Sequence, residues 1–149
     1  MHTRARPGPD DKGETLIELM IAVAIMGIVV VAIVGGIATS IMMSDIHRKQ
    51  ATAGAYVRNY AEAVVAYVAV PGNFNATTSP IALQTAVAAA GFAAPTGFTP
   101  AVVLVQCWND TGQVFGGCAA GNTVQQVTLT VASSDTRASE SLVVVVRKP

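Results

Sequence analysis

The sequence predicts an α+β fold, in which a long N-terminal helix packs its second half on a small antiparallel sheet. An uncharged apolar run extends from Leu19 to Ser44, apolar residues recur at helical spacing after it, and the last third alternates as strands do. The charged fraction is 12%, against about 25% in an average soluble domain. Because the apolar excess lies in one segment, we expect one membrane span attached to one modest domain.

The apolar run from Leu19 to Met43 is long enough to cross a membrane as a helix. About 25 residues at a rise of about 1.5 Å span roughly 37 Å, and a hydrocarbon core is about 30 Å thick. A secretory signal peptide has a shorter apolar region, of about 7–15 residues. We therefore predict a single-pass segment, and residues 14–44 are assigned to this membrane-spanning helix.

The helix is predicted to continue through residues 45–70 as an amphipathic second half. Larger apolar side chains recur there at spacings of three and four positions and form one stripe. They are Tyr56, Val57, Tyr60, Val64, Tyr67 and Val68. Pro71-Gly72 ends the pattern. This stripe requires a surface on which to pack.

The rest of the chain is predicted to supply that surface. A connector over residues 71–100 contains one short helix, which Ser79 caps and Gly91 ends. Residues 101–149 are predicted to form an antiparallel sheet with one apolar face. Its strands are residues 101–108, 123–132 and 141–148, with a turn at residues 134–139.

The start of the helix carries a specific signal. A polar leader, residues 1–13, ends at Gly13; Glu18 follows five positions later, and the apolar run begins directly after it. This arrangement resembles the type III signal of type IV prepilins and related pseudopilins. The resemblance implies that a prepilin peptidase cuts between Gly13 and Glu14 on the cytoplasmic side and then N-methylates Glu14. It also implies that residues 45–149 form a type IV pilin-like globular domain outside the cytoplasm.

The resemblance gives Glu18 a part in assembly. A carboxylate within a membrane is costly and usually has a partner. By resemblance, that partner is the ammonium group freed at Glu14 of a neighbouring subunit, so that each charge offsets the desolvation of the other and the pair sets the axial register. The alternative is that Glu18 only marks the end of the helix at the membrane interface.

The resemblance implies a structural role: a prepilin held in the cytoplasmic membrane that joins an extracellular helical filament. The expected partners are prepilin peptidase, the pilus assembly platform, the membrane, other pilins and further copies of the chain. One alternative is a minor pilin or type II secretion pseudopilin, which primes or caps a filament. Another, of a different class, is a single-pass membrane-anchored binding domain that does not assemble.

Three glycines interrupt the apolar run at Gly27, Gly35 and Gly36, and the run contains no proline. Glycine weakens a helix by about 1 kcal/mol relative to alanine, so these positions are candidates for local stretching in a filament. Small residues also let membrane helices approach closely. Both interpretations stay open.

Two cysteines, Cys107 and Cys118, lie in the part expected outside the cytoplasm. Because disulfides persist in oxidising compartments, we predict that the two are bonded and that the bond stabilises the domain by roughly 3 kcal/mol. The alternative is a pair of buried thiols. The neighbouring Trp108 is predicted to lie in the core, with an exposed adhesive residue as the alternative.

The sequence predicts neither an enzyme nor a cofactor site. The segment after residue 71 contains no histidine and no glycine-rich phosphate loop. Its few charged residues sum to zero, which disfavours nucleic acid as a partner. They are Asp110, Asp135, Glu140, Arg137, Arg147 and Lys148. We therefore predict no catalytic residue, no metal site and no cofactor.

Overall fold

The structure, a computed structural model, describes residues 15–149. The predicted leader with Gly13, and the following Glu14, lie outside the described residues. The chain divides into two compact units, Met1–Met43 and Ser44–Pro149.

Helix α1 comprises Leu16–Ala69, 54 residues. It begins after Thr15, whose carbonyl oxygen accepts from the backbone N–H groups of Glu18 (2.8 Å) and Leu19 (3.3 Å). It ends before Pro71, which cannot continue the backbone ladder. Asn73 closes this end, because its side-chain amide donates to the Tyr67 carbonyl at 3.0 Å and satisfies an acceptor that the helix leaves unpaired.

Helix α2 comprises Pro80–Ala89. The Ser79 hydroxyl accepts from the Ala82 backbone N–H at 3.2 Å, which is the predicted N-cap, and proline occupies the first turn. Gly91 follows the helix with a φ of 107°, a conformation that favours glycine.

Four antiparallel strands form one sheet in the order β2-β1-β3-β4. Their bounds are β1 Phe98–Asn109, β2 Val114–Gly116, β3 Val124–Ser133 and β4 Ser139–Arg147. The predicted hairpin is the β3–β4 pair, in which Val127 opposes Val144 and Ala132 opposes Ser139. Strand β2 was not predicted, and β1 begins three residues before the predicted start.

The early start of β1 places Pro100 inside a strand, opposite Val131 of β3. Proline has no N–H to donate and is found at sheet edges. Strand β2 pairs with β1 only over Cys107–Asn109. Among the described strands, none therefore lies on the other side of Pro100, and the missing donor disrupts no pairing there.

The core of residues 44–149 lies between the second half of α1, α2 and one face of the sheet. Tyr60 stacks on Phe92 with ring centroids 4.6 Å apart, and Tyr56 stacks on Phe98 at 6.3 Å. The buried cluster consists of Ala53, Val57, Tyr60, Ala61, Val64, Val68, Leu83, Val87, Val102, Val127, Leu129, Val131 and Val146. This is the predicted α+β, type IV pilin-like arrangement of a long helix on an antiparallel sheet.

Candidate functional site

The first half of α1 presents an apolar surface that no other described residue of its unit covers. Every residue from 16 to 43 is exposed, with Ile28 at 71% and Val31 at 72% of full exposure. Within residues 15–149, α1 is the one helix long and apolar enough to cross a membrane. The segment is suited to membrane anchoring, because lipid or other apolar helices must cover such a surface.

The glycines of this segment have open surroundings. A Cβ atom built on Gly27, Gly35 or Gly36 meets no atom within 4 Å. The Thr39 hydroxyl donates to the Gly35 carbonyl at 3.0 Å, a bond within the helix that often accompanies bending. Both interpretations of the glycines stay open. Close packing needs a neighbouring helix, and local stretching needs a pulling force from outside the chain.

Glu18 lies in the first turn of α1, directly before the apolar surface. The unpaired N–H groups of a helix start favour a negative charge there. Across residues 15–149, no side chain donates a hydrogen bond to the Glu18 carboxylate or pairs with it. A carboxylate next to an apolar helical surface needs a cation when that surface is buried.

A charged cluster joins α1 to the β3–β4 turn within the second unit. The Lys49 ammonium lies 2.6 Å from Asp135 and 2.8 Å from Asp45. The hydrogen bond from Lys49, supported by one from the Ser133 hydroxyl at 2.7 Å, lowers the pKa of Asp135. The same contact with Asp135, followed by that with Asp45, raises the pKa of Lys49. This cluster was not predicted from the sequence, because Lys49 and Asp135 are 86 positions apart.

Cys107 and Cys118 are joined as a disulfide, with Cα atoms 4.8 Å apart. The bond encloses the β1–β2 hairpin, in which the Asn109 side chain accepts from the backbone N–H groups of Thr111 (2.9 Å) and Gly112 (3.4 Å). This turn is tight and polar, and the cystine holds its two ends together.

Trp108 is half-buried, so its assignment to the core was wrong. Cys107 opposes the buried Gln125 on the face that packs against the helices. Successive side chains of a strand point to opposite faces, so Trp108 lies on the outer face of the sheet. Its ring packs edge-on against that of Phe115 on β2, with centroids 5.2 Å apart.

Residues 15–149 hold no group of three histidine, cysteine, aspartate or glutamate side chains that could bind a metal ion. The residues that the sequence singled out are not brought together: Glu18 and the Cys107–Cys118 bond belong to different units. The first half of α1 is therefore the candidate site for anchoring and assembly, and the second unit contains the buried core and the disulfide.

Searches of curated proteins and of solved structures found no match to this chain. Residues 9–34 match the family model of the prokaryotic N-terminal methylation motif. The matched segment contains Gly13, Glu14, Glu18 and the beginning of the apolar run. The motif belongs to structural, pilin-type proteins and not to an enzyme family. The match supports a type IV prepilin-like type III signal, and thus a precursor of the pilin or pseudopilin type.

Proposed function

We propose that this chain is a prepilin, the precursor of a structural subunit of a type IV pilus or related filament. The observation that carries the proposal is the methylation motif at residues 9–34, followed by a helix whose apolar side chains are all exposed as far as Met43. Lipid covers this surface before assembly, and neighbouring helices cover it afterwards.

Processing removes residues 1–13 and leaves Glu14 as the new N-terminus. Prepilin peptidase cuts after Gly13 on the cytoplasmic side and methylates the amino group of Glu14. Residues 14–44 then form the anchor and later the filament core, while residues 45–149 form the outer domain. The assembly platform withdraws the subunit from the membrane.

Glu18 sets the position of each subunit along the filament. In the bundle its carboxylate loses water and meets the N-terminal ammonium of Glu14 from a neighbouring copy. The pair keeps two buried charges neutralised, and removal of one partner from such a pair typically costs about 3–5 kcal/mol. The absence of a partner for Glu18 within residues 15–149 is consistent with a partner from another copy.

The experiment is the mass and N-terminal sequence of the chain from its native cells, in both the membrane fraction and material sheared from the surface. We expect a chain that begins at Glu14, with or without an added methyl group, and its presence in sheared material. An intact Met1 in both fractions, or a cut after residue 40, would contradict the proposal. The first would leave a single-pass anchored domain, and the second a secreted one.

A matched pair of glycine variants tests the cleavage site. Gly13→Leu places a side chain at the scissile residue and should leave full-length chain in the membrane. Gly8→Leu makes the same change in the leader and should be processed normally. Equal processing of both variants would contradict cleavage after Gly13.

The copy number in sheared material separates a major subunit from a minor pilin or pseudopilin, which would be present in trace amounts.

A further inference from the structure

A cleft on the second unit combines residues that neither anchoring nor assembly uses. It has a volume of about 330 Å³ and lies at one end of the sheet. Its lining comes from the end of β1, the β1–β2 turn, the β2–β3 connection, the start of β3 and the end of β4. The lining residues are Trp108, Asp110, Gly121, Asn122, Thr123, Val124 and Arg147.

The register of the sheet explains why these residues meet. Val124 opposes Arg147 in the β3–β4 pair, and Trp108 opposes Phe115 in the β1–β2 pair. Val124 and Trp108 directly adjoin the opposed pair Gln125 and Cys107, whose side chains face the helices. The strand alternation therefore places Trp108, Val124 and Arg147 in one row on the outer face.

The walls of the cleft are held in place by hydrogen bonds that leave its charged groups available. The Asn122 amide donates to the Trp108 carbonyl at 2.9 Å, and its oxygen accepts from the Ala119 N–H at 2.7 Å. In the described part of the chain, neither Asp110 nor Arg147 forms an ion pair or a side-chain hydrogen bond. Both charged side chains are exposed.

We propose that this cleft binds a neutral saccharide. The Asp110 carboxylate accepts from sugar hydroxyls, the Arg147 guanidinium donates to them, and Trp108 supplies an aromatic surface for the apolar C–H face of the ring. One negative and one positive group cancel, which disfavours phosphate or another strongly charged ligand. The volume lies within the range of small-molecule sites.

The single tryptophan of the chain makes the test direct, because any change in tryptophan emission comes from Trp108. The full-length chain is held in micelles of a detergent without a sugar head group and titrated with galactose, glucose, N-acetylglucosamine and lactose. We expect a saturable change in emission with at least one of them at millimolar concentration. Saturation-transfer NMR should show the C–H protons of that sugar in contact with the protein.

Asp110→Asn replaces a charged acceptor with a neutral amide oxygen, and Arg147→Ala removes a charged donor, so each should weaken binding by about tenfold. Arg58→Ala is the matched control, since Arg58 is exposed on α1 and lines no part of the cleft. It should bind as the unchanged chain does. All three substitutions are at exposed positions and should leave the thermal midpoint of unfolding unaltered.

Three results would overturn the proposal. The first is the absence of any emission change with the four sugars. The second is unchanged affinity in both the Asp110→Asn and Arg147→Ala variants. The third is tighter binding of anionic N-acetylneuraminic acid than of every neutral sugar. The measurement uses unassembled chain, so its result is independent of whether the chain forms filaments.

Discussion

Residues 16–43 and residues 44–149 differ in the exposure of their apolar side chains. In the first region all of them are exposed, whereas the second buries Val64, Val127 and Leu129 completely. The second region therefore derives its stability from within the chain, and the first must derive it from lipid or from other helices. Substitutions should separate accordingly, into those that alter assembly and those that alter the free energy of unfolding.

Glu18→Gln should have the largest effect, and on assembly alone. Loss of one partner of a buried ion pair costs about 3–5 kcal/mol, so sheared material should contain almost no subunit. Glu62→Gln makes the same change at an exposed position of α1 and should assemble normally. Quantitative immunoblots of sheared and membrane fractions measure both variants. Normal filament yield from Glu18→Gln would contradict the proposed pairing.

Leu129→Ala should act on the free energy of unfolding and not on assembly. Leu129 is fully buried, so truncation should lower the free energy of unfolding by about 2–5 kcal/mol. Leu104→Ala is the matched control: its side chain is 44% exposed, and the loss should be about 1 kcal/mol or less. Urea denaturation of the detergent-held chain measures both. Equal losses would show that the sheet's helix-facing side is not the core.

Reduction of the Cys107–Cys118 bond should lower stability by roughly 3 kcal/mol, because an open chain regains the entropy of an 11-residue loop. The Cys107→Ala/Cys118→Ala variant is the control and should not respond to reductant. Denaturation with and without reductant measures the difference. An unchanged midpoint in the native chain would indicate that the two thiols do not form the bond.

Tyr60→Phe should stabilise the second unit by about 1 kcal/mol, because a buried hydroxyl without a hydrogen bond is costly. The Tyr60 hydroxyl is buried and has no partner among residues 15–149, and burial raises its pKa. Tyr67→Phe, at a half-buried position, is the control and should change little. A loss of stability in Tyr60→Phe would reveal a partner for the hydroxyl.

Asp135→Asn should have the smallest effect, confined to the pH range in which both Asp135 and Lys49 are charged. Lys49 lowers the pKa of Asp135, so its contribution is present above the unfolded pKa of about 3.9 and is lost as pH falls below it. The raised pKa of Lys49 contributes below about pH 10.4 and is lost above it. The variant should flatten the acid limb of a stability–pH curve and, because Asp45 still pairs with Lys49, only part of the alkaline limb.

High salt separates this effect from a change in packing. Both side chains of the Lys49–Asp135 pair are partly exposed, so salt screens their attraction. The difference between Asp135→Asn and the unchanged chain should shrink as salt is added. A difference that persists at high salt would assign the effect to a change in packing at the β3–β4 turn instead.

The periodic parts of the fold were predictable from sequence. Four members of the predicted stripe are buried, Val57, Tyr60, Val64 and Val68, and its other two, Tyr56 and Tyr67, are half-buried. Ser79 caps α2 as predicted. Strand β2 was missed because three residues, Val114–Gly116, show no alternation. The signal that could have found it is the turn sequence Asn109–Gly112 between two cysteines, which is typical of a hairpin.

The candidate sites also divide into those that the sequence could predict and those that it could not. A local spacing, Gly13 to Glu18, was sufficient to predict the N-terminal signal. The contact of Lys49 with Asp135 depends on how α1 packs against the β3–β4 turn. The placement of Trp108 and Arg147 in one cleft depends on strand register. Hydrophobic patterning fixes the face of a strand but not which distant residues become neighbours. Those contacts could not be predicted from sequence.

The unpaired edge of β4 has a consequence for what happens when the protein is heated. Strand order leaves β4 paired only with β3 among the described strands, and its residues Val143–Val146 form an uncharged β-branched run. Such edges template intermolecular pairing once a domain loosens. The run is flanked by charged residues that oppose such pairing, namely Glu140, Arg147 and Lys148. We therefore expect heat to end in irreversible aggregation through β4, so that melting temperatures will depend on scan rate.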